Sequence, residues 1–181
     1  DDSIRLIMGH KKEIIRNSGA LEYIEPEEGL DDVGGLDRLK DWLSDRRQAY
    51  TAEAIERGLP QPKGVLLIGV PGCGKSLTAK AVSSAWNFPL IRFDIGAVYQ
   101  GVVGSSESNI RNALKVAEAA SPCILWIDEI EKGMAGSGGS GDLDSGVALR
   151  VFGTILTWLN EVKKPVFVVA TANNIANIPP E

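Results

Sequence analysis

The sequence is poor in the residues that build disulfide frameworks and structural metal sites. Its 181 residues include two cysteines, Cys73 and Cys123, and a single histidine, His10. One cysteine pair makes no disulfide framework, and these side chains are too few for a typical structural zinc site. We therefore expect any metal ion to be held partly by a bound ligand.

Long apolar runs and an excess of positive charge are also absent. No run approaches the roughly 20 apolar residues that cross a bilayer, and the N-terminal residues lack the pattern of a secretory signal. We therefore expect a cytoplasmic protein without a membrane partner. The 19 Lys and Arg against 24 Asp and Glu give a net charge of −5, which disfavours a nucleic-acid partner.

Enough apolar sequence remains for one globular core, because 44% of the residues are hydrophobic and 24% are charged. Four short apolar runs are continuous rather than alternating, which is typical of strands buried on both faces. They cover residues 65–68, 90–93, 123–127 and 166–170. Helix-like stretches between them cover residues 75–86, 106–119 and 147–161. This regular alternation predicts an α/β fold in which helices flank a sheet of parallel strands.

The segments outside this alternation are predicted to be an appendage and a loop. Within residues 1–24, isoleucines at helical spacing stand among Lys and Arg, which predicts an N-terminal helical appendage that Gly19 would end. Residues 25–181 then form the α/β subdomain. The glycine-rich residues 133–146 are predicted to form a mobile loop.

A phosphate-binding loop follows the first of the four apolar runs. The segment Gly69-Val-Pro-Gly-Cys-Gly-Lys-Ser76 matches G-x-x-x-x-G-K-[ST] in full, between a predicted strand and a predicted helix. Its glycines let backbone N–H groups converge on phosphate oxygens. Lys75 would neutralise the phosphates, and the Ser76 hydroxyl would bind Mg²⁺. The alternative is a glycine-rich turn that matches by chance. The predicted nucleotide-binding residues of this loop are Pro71, Gly72, Cys73, Gly74, Lys75, Ser76 and Leu77.

Polar residues follow the third and fourth predicted strands. Asp128 and Glu129 end the third, where Asp128 could bind Mg²⁺ through its water shell and Glu129 could activate the attacking water. Asn173 follows the fourth and could hydrogen-bond the γ-phosphate or that water. Such an acidic pair can also be a helix N-cap, and asparagine also favours turns. We predict Glu129, Asn173 and Lys75 as catalytic residues.

Four segments together resemble the AAA family of ATPases, the AAA+ P-loop NTPases. They are Leu30-Asp-Asp-Val-Gly-Gly35, residues 62–76, Ile127-Asp-Glu-Ile130 and Ala170-Thr-Ala-Asn173. Residues 121–130, 150–154 and 165–174 are more narrowly similar to the poorly characterised AAA-domain proteins of plastid genomes and cyanobacteria. The resemblance implies the AAA+ large subdomain, with a three-layer P-loop NTPase sheet, over residues 25–181. A plastid-encoded protein would lie in the stroma.

The resemblance also implies roles for single residues. The positions that match backbone lying against adenine are Asp32, Val33 and Gly34. Residues 72–76 match the phosphate loop, and Asn173 matches the sensor asparagine. Asp128 and Glu129 match the carboxylates that hold Mg²⁺ and activate water. The implied cofactors are therefore ATP and Mg²⁺.

Family members usually assemble as hexameric rings that remodel another macromolecule. The resemblance thus implies a ring, formed by the full-length protein, that hydrolyses ATP to remodel an unidentified protein client. A second hypothesis is a nucleotide-dependent assembly switch or scaffold that threads no substrate. A third is a DNA-related AAA+ protein, which the net charge of −5 disfavours.

The sequence departs from the family at three places. Val102 stands where threading members carry an aromatic residue, and Cys73 stands where threonine is common, which leaves open a redox-sensitive thiol or simple filler. The chain ends at Glu181, before the arginine fingers, a fifth strand and a helical lid. An arginine finger is worth on the order of 10³ to 10⁵ in rate, so we expect weak hydrolysis by this C-terminally incomplete chain. The missing strand would leave the first strand of the subdomain at an exposed edge.

Overall fold

The computed structural model describes residues 12, 13, 15, 19–99, 106–133 and 142–174. Within them, five strands form one sheet in the order β1-β3-β4-β5-β2. The strands are β1 (Leu21–Ile24), β2 (Gly64–Ile68), β3 (Leu90–Phe93), β4 (Cys123–Ile127) and β5 (Val166–Ala172). Every neighbouring pair is parallel except β1 with β3. The predicted α/β sheet of parallel strands flanked by helices is confirmed.

The helices lie between the strands in the order that the alternation predicts. They are α1 (Asp37–Arg47), α2 (Ala52–Glu56), α3 (Lys75–Trp86), α4 (Ile95–Tyr99), α5 (Ser106–Ala119) and α6 (Asp142–Glu161). Short 3-10 turns occupy Leu30–Asp32, Gln48–Tyr50 and Ile130–Gly133. No helix in the described part of the chain is long and apolar enough to cross a membrane.

Helix α6 corrects the loop prediction for residues 133–146. It begins at Asp142, so the end of the glycine-rich segment is helical rather than a loop. The helix predicted from residue 147 thus extends over residues 142–146, because adding a turn to an existing helix costs less than starting a new one. Residues 134–141 of the predicted loop lie outside the described residues.

Strand β1 is an element that the sequence analysis did not predict, and it lies after Gly19, where the predicted N-terminal helix ends. It pairs antiparallel with β3, with Leu21 opposite Phe93 and Ile24 opposite Leu90. Leu-Glu-Tyr-Ile is a short strand in which only Leu21 is fully buried, so it shows no continuous apolar run. The helical part of the prediction holds at residues 12, 13 and 15, where Ile15 is buried, and its other residues lie outside the described part. The domain division after residue 24 stays a prediction.

The core lies on both faces of the sheet because successive strand residues point to opposite sides. Leu125 and Ile127 of β4 pack in the apolar layer that contains residues of α5 and α6. Ile124 and Trp126 pack in the opposite layer, which contains residues of α1 and α3. All residues of β4 and β5 are buried. These two strands are therefore held on both faces by the core, and their carboxyl ends lie side by side.

Strand β2 lies at the edge of the sheet, as predicted for the first strand of the subdomain. It pairs with β5 on one side, and among the described residues no strand pairs with its other side. Leu66 and Ile68 are 43% and 45% exposed. Gly64 is required in this strand, because a Cβ there would lie 2.3 Å from the carbonyl oxygen of Val168 on β5.

Candidate functional site

The loop between β2 and α3 has the backbone that its glycines predict. Gly72 and Gly74 adopt φ angles of 81° and 90°, a left-handed region that other residues avoid. Gly74 is the N-cap of α3, so the first N–H groups of this helix face the loop without intrahelical partners. A helix N-terminus of this kind is a natural binding site for an anion such as phosphate.

Lys75 lies folded over this loop. Its ammonium group donates hydrogen bonds to the carbonyl oxygens of Gly69 at 2.7 Å and Val70 at 2.9 Å. The Sγ atom of the exposed Cys73 lies 3.7 Å from the same nitrogen. The positive charge is therefore kept at the loop, within reach of an anion bound there. The redox hypothesis for Cys73 stays a prediction.

A cavity of about 310 Å³ joins the loop to the ends of the central strands. It is lined by Gly72, Gly74, Lys75, Ser76, Leu77, Asp128, Glu129 and Asn173. The structure thus brings together most of the residues that the sequence predicts for nucleotide binding and catalysis, although three separate segments supply them. Pro71 and Cys73 belong to the same loop but do not line the cavity.

The predicted adenine-contacting residues lie on a neighbouring segment rather than in this cavity. Asp32 ends the short 3-10 turn, Val33 is buried at 5% exposure, and Gly34 is exposed. This turn packs against α3. An ion pair between Lys80 Nζ and Glu28 Oε1, at 2.7 Å, ties the segment to that helix. The hydrogen bond from Lys80 lowers the pKa of Glu28 below its ordinary value.

A buried threonine organises the carboxylates at the end of β4. The Thr171 hydroxyl, which is fully buried, donates to Asp128 Oδ1 at 2.7 Å and accepts the Glu129 backbone N–H at 2.9 Å. Glu129 has a φ of 48°, an uncommon left-handed backbone for a non-glycine residue. The Thr171 hydrogen bond therefore holds a strained turn in place and orients both acidic residues.

Asn173 connects the ends of β4 and β5 a second time. Its side-chain Nδ2 donates to Glu129 Oε1 at 2.9 Å, and its backbone N–H donates to Glu131 Oε1 at 2.8 Å. Neighbouring parallel strands bring their carboxyl ends to one edge of the sheet, so residues more than 40 positions apart meet here. Glu129 and Asn173, which are both predicted as catalytic residues, are therefore in direct contact.

Sequence reasoning missed the contribution of Thr171 and gave Glu131 no positioning role. A signal was present for each residue. Thr171 is a single hydroxyl in the otherwise apolar strand β5, and Glu131 is a second glutamate two positions after Glu129. Neither signal identifies the partner atom, because that atom belongs to another strand.

The oxygen atoms needed for Mg²⁺ are present on two sides of the cavity. Ser76 and Asp128 both line it, and hydroxyl and carboxylate oxygens are ligands that Mg²⁺ prefers. No group of three or more His, Cys, Asp or Glu side chains that could hold a metal occurs among the described residues. The hydroxyl of Ser76 and the carboxylate of Asp128 are oxygen donors of the kind that Mg²⁺ takes, so these two residues fit this ion.

Comparison with known proteins shows similarity over nearly the whole chain. The ATPase family associated with various cellular activities (AAA) matches residues 65–181. The uncharacterized AAA domain-containing protein ycf46 of Guillardia theta is 49% identical over 180 residues, which are 99% of this chain and 35% of that protein. The ycf46 protein of Pyropia yezoensis is 49% identical over 179 residues, 99% of this chain and 36% of that protein.

A more distant similarity reaches a protein with an assigned activity. The peroxisomal ATPase pex6 of Schizosaccharomyces pombe is 34% identical over 157 residues, which are 83% of this chain and 16% of that protein. The chain spans about a third of the length of its ycf46 relatives.

Proposed function

Since the chain belongs to the AAA family of ATPases, we propose that it forms the nucleotide-binding core of an enzyme that hydrolyses ATP. The observation that carries the proposal is the 2.9 Å hydrogen bond from Asn173 Nδ2 to Glu129 Oε1 beside a cavity that Lys75 also lines. It supports a site in which a general base, an orienting amide and a phosphate-binding cation act on one substrate.

ATP binding is assigned to two segments. The backbone N–H groups of residues 72–76 and the Lys75 ammonium would bind the phosphates, and the segment Asp32, Val33 and Gly34 would contact adenine. Ser76 and Asp128 would hold Mg²⁺, which when bound neutralises charge on the phosphate oxygens. The contact between the Asp32 segment and α3 supports this assignment, because α3 begins at the phosphate loop.

Hydrolysis is assigned to the ends of β4 and β5. Glu129 would accept a proton from water as the water oxygen attacks the γ-phosphorus and the bond to the leaving ADP oxygen breaks. Asn173 would hold the Glu129 carboxylate and the water in line for this attack. Thr171 supports the geometry, since its hydroxyl bonds both Asp128 and the Glu129 backbone.

The full-length protein is proposed to act as a ring, with six subunits, that remodels a protein client in the cytoplasm or the plastid stroma. Family membership and the similarity to a peroxisomal ATPase support this kind of activity. Residues 1–181 span about a third of the length of the ycf46 relatives. An arginine finger supplied from outside these residues would add on the order of 10³ to 10⁵ in rate, so we expect residues 1–181 alone to turn over ATP slowly.

A nucleotide-dependent assembly switch is the second candidate, and Val102 favours it. Valine replaces the aromatic residue that grips a threaded polypeptide, although this position lies outside the described residues. Stimulation of ATP turnover by an added client would favour remodelling, whereas a switch needs none. A DNA-related role would require binding to single-stranded DNA that weakens steeply with salt.

The experiment that tests the proposal is the release of ADP from Mg-ATP, measured with residues 1–181 and with the full-length protein. Lys75→Ala serves as the blank. We expect ATP-dependent turnover by the full-length protein and a much lower rate for residues 1–181. A full-length rate equal to that of the blank would contradict the proposed hydrolysis. A rate per chain that climbs with the concentration of residues 1–181 would show that these residues already build a composite site.

A further inference from the structure

Glu131 is a buried carboxylate with no assigned role in the chemistry. It lies in the 3-10 turn Ile130–Gly133 that follows β4 and is 7% exposed. Burying a carboxylate is costly unless hydrogen bonds or charges compensate it. A carboxylate buried at this position therefore needs a compensating contact.

The contacts of Glu131 point to the backbone of Asn173. Oε1 accepts the Asn173 N–H at 2.8 Å, while Oε2 is buried without a hydrogen-bond partner among the described residues. A hydrogen bond to an ionised acceptor is shorter and roughly twice as strong as one between neutral groups. The carboxylate is therefore directed at one N–H group on the neighbouring strand end.

The sheet itself does not supply this restraint. Strand β5 ends at Ala172, and the pairing of β4 with β5 ends at Ile127 opposite Ala170. Asn173 therefore lies beyond the ladder, where no strand partner orients its backbone. The hydrogen bond to Glu131 orients the Asn173 backbone instead, and it thereby limits the directions in which the Asn173 side chain can point.

Glu131 is not suited to serve as the base itself. It does not line the 310 Å³ cavity, whereas Glu129 does. Two hydrogen bonds connect it to Glu129: the Asn173 backbone N–H donates to Glu131 Oε1, and the Asn173 side-chain Nδ2 donates to Glu129 Oε1. The effect of Glu131 on the reaction must therefore pass through Asn173.

We propose that Glu131 is a positioning residue that fixes Asn173, and through it the Glu129 carboxylate, in the orientation required for hydrolysis. The inference rests on the proposed ATP hydrolysis. It makes the two strand ends one hydrogen-bonded unit in which a buried carboxyl group orients a polar side chain.

The test compares Glu131→Ala and Glu131→Gln in the full-length protein, with kcat and KM for ATP measured separately. The alanine variant loses the acceptor, so kcat should fall about 10- to 100-fold, the range known for partners that orient metal ligands. KM should stay close to wild type, because the phosphate loop is untouched. The glutamine variant keeps an acceptor oxygen and should recover most of kcat.

A matched control is Glu161→Ala. Glu161 is exposed at the end of α6, which precedes the start of β5, so it lies at the end of the sheet opposite the site. This variant should leave both kinetic parameters unchanged. Loss of kcat in the glutamine variant equal to that in the alanine variant, or wild-type kcat in the alanine variant, would overturn the inference.

Hydrogen exchange at the Asn173 backbone amide gives a readout that does not depend on activity. Exchange should be about tenfold faster in Glu131→Ala, because the amide loses its acceptor, and close to wild type in Glu131→Gln. Equal exchange in all three proteins would overturn the inference. If wild type binds ATP without hydrolysing it, the proposed function fails, and the exchange result still decides whether Glu131 positions Asn173.

Discussion

The two halves of the candidate site are built in different ways. In the phosphate loop, Lys75 contacts carbonyl oxygens five and six positions earlier in the chain. At the ends of β4 and β5, the hydrogen bonds join residues 42 to 44 positions apart. The loop is thus a local structure set by its glycines, whereas the strand ends form a network that exists only when the sheet is assembled.

This difference predicts different responses to substitution. A local loop at the sheet edge should tolerate changes elsewhere and fail only when its own residues change. A network between strands should fail when any member loses a partner, because a buried polar group left unpaired is costly. Four substitutions test this contrast.

The largest effect is expected for Glu129→Gln in the full-length protein. Removing a general base typically costs about 10²- to 10⁴-fold in rate, while ATP binding should persist because the loop is intact. ATP affinity by calorimetry and phosphate release measure the two properties separately. Turnover at the wild-type rate would mean that Glu129 is not the base.

Lys75→Ala should impair the loop and leave the strand ends intact, which is the opposite of Glu129→Gln. Charge-assisted hydrogen bonds to phosphate are lost, so ATP affinity should fall about 100-fold, while the protein stays folded. Lys115→Ala, on the exposed face of α5, is the matched control and should bind ATP as wild type does. Calorimetric titration with Mg-ATP checks both variants. Undiminished affinity in the Lys75 variant would contradict the assigned role.

Thr171→Val should show how strongly the strand ends depend on one hydroxyl group. The shape is kept, but the Glu129 N–H and Asp128 Oδ1 lose their partner, so the free energy of unfolding should fall by about 1–3 kcal/mol. Thr154→Val is the control, since the Thr154 hydroxyl bonds the Arg150 carbonyl oxygen four positions earlier in α6. Urea unfolding of residues 1–181 measures both. Equal losses would remove the distinction between local and long-range contacts.

Gly74→Ala should give the smallest of the four effects. An alanine at φ of 90° is strained, and we expect the free energy of unfolding to fall by about 1–2 kcal/mol. Gly153→Ala in α6 should instead raise it by about 0.5–1 kcal/mol, because that glycine is helical and a Cβ there meets no atom within 4 Å. Thermal unfolding compares the pair. A stabilised Gly74 variant would mean that the loop does not need this backbone.

Prediction from the sequence succeeded where the signal is local. The loop from Gly69 to Ser76 is recognisable from consecutive residues, and the continuous apolar runs indicate β2 to β5. Prediction failed at β1, because an antiparallel edge strand is recognisable only by the partner that it pairs with. It also missed Thr171, since a single hydroxyl in an apolar strand does not indicate which distant atom it bonds.

The alternation of strands and helices, the glycine-rich loop between β2 and α3, and the acidic and amide residues after the strands could be predicted from the sequence alone. These features depend on the periodicity, the glycines and the order of neighbouring residues along the chain. The order of the strands, with β4 and β5 side by side and β2 at the edge, depends on tertiary packing and could not be predicted from the sequence. The hydrogen bonds of Glu129, Glu131 and Asn173 follow from that order, because their partners are distant in sequence and meet only at the common end of parallel strands.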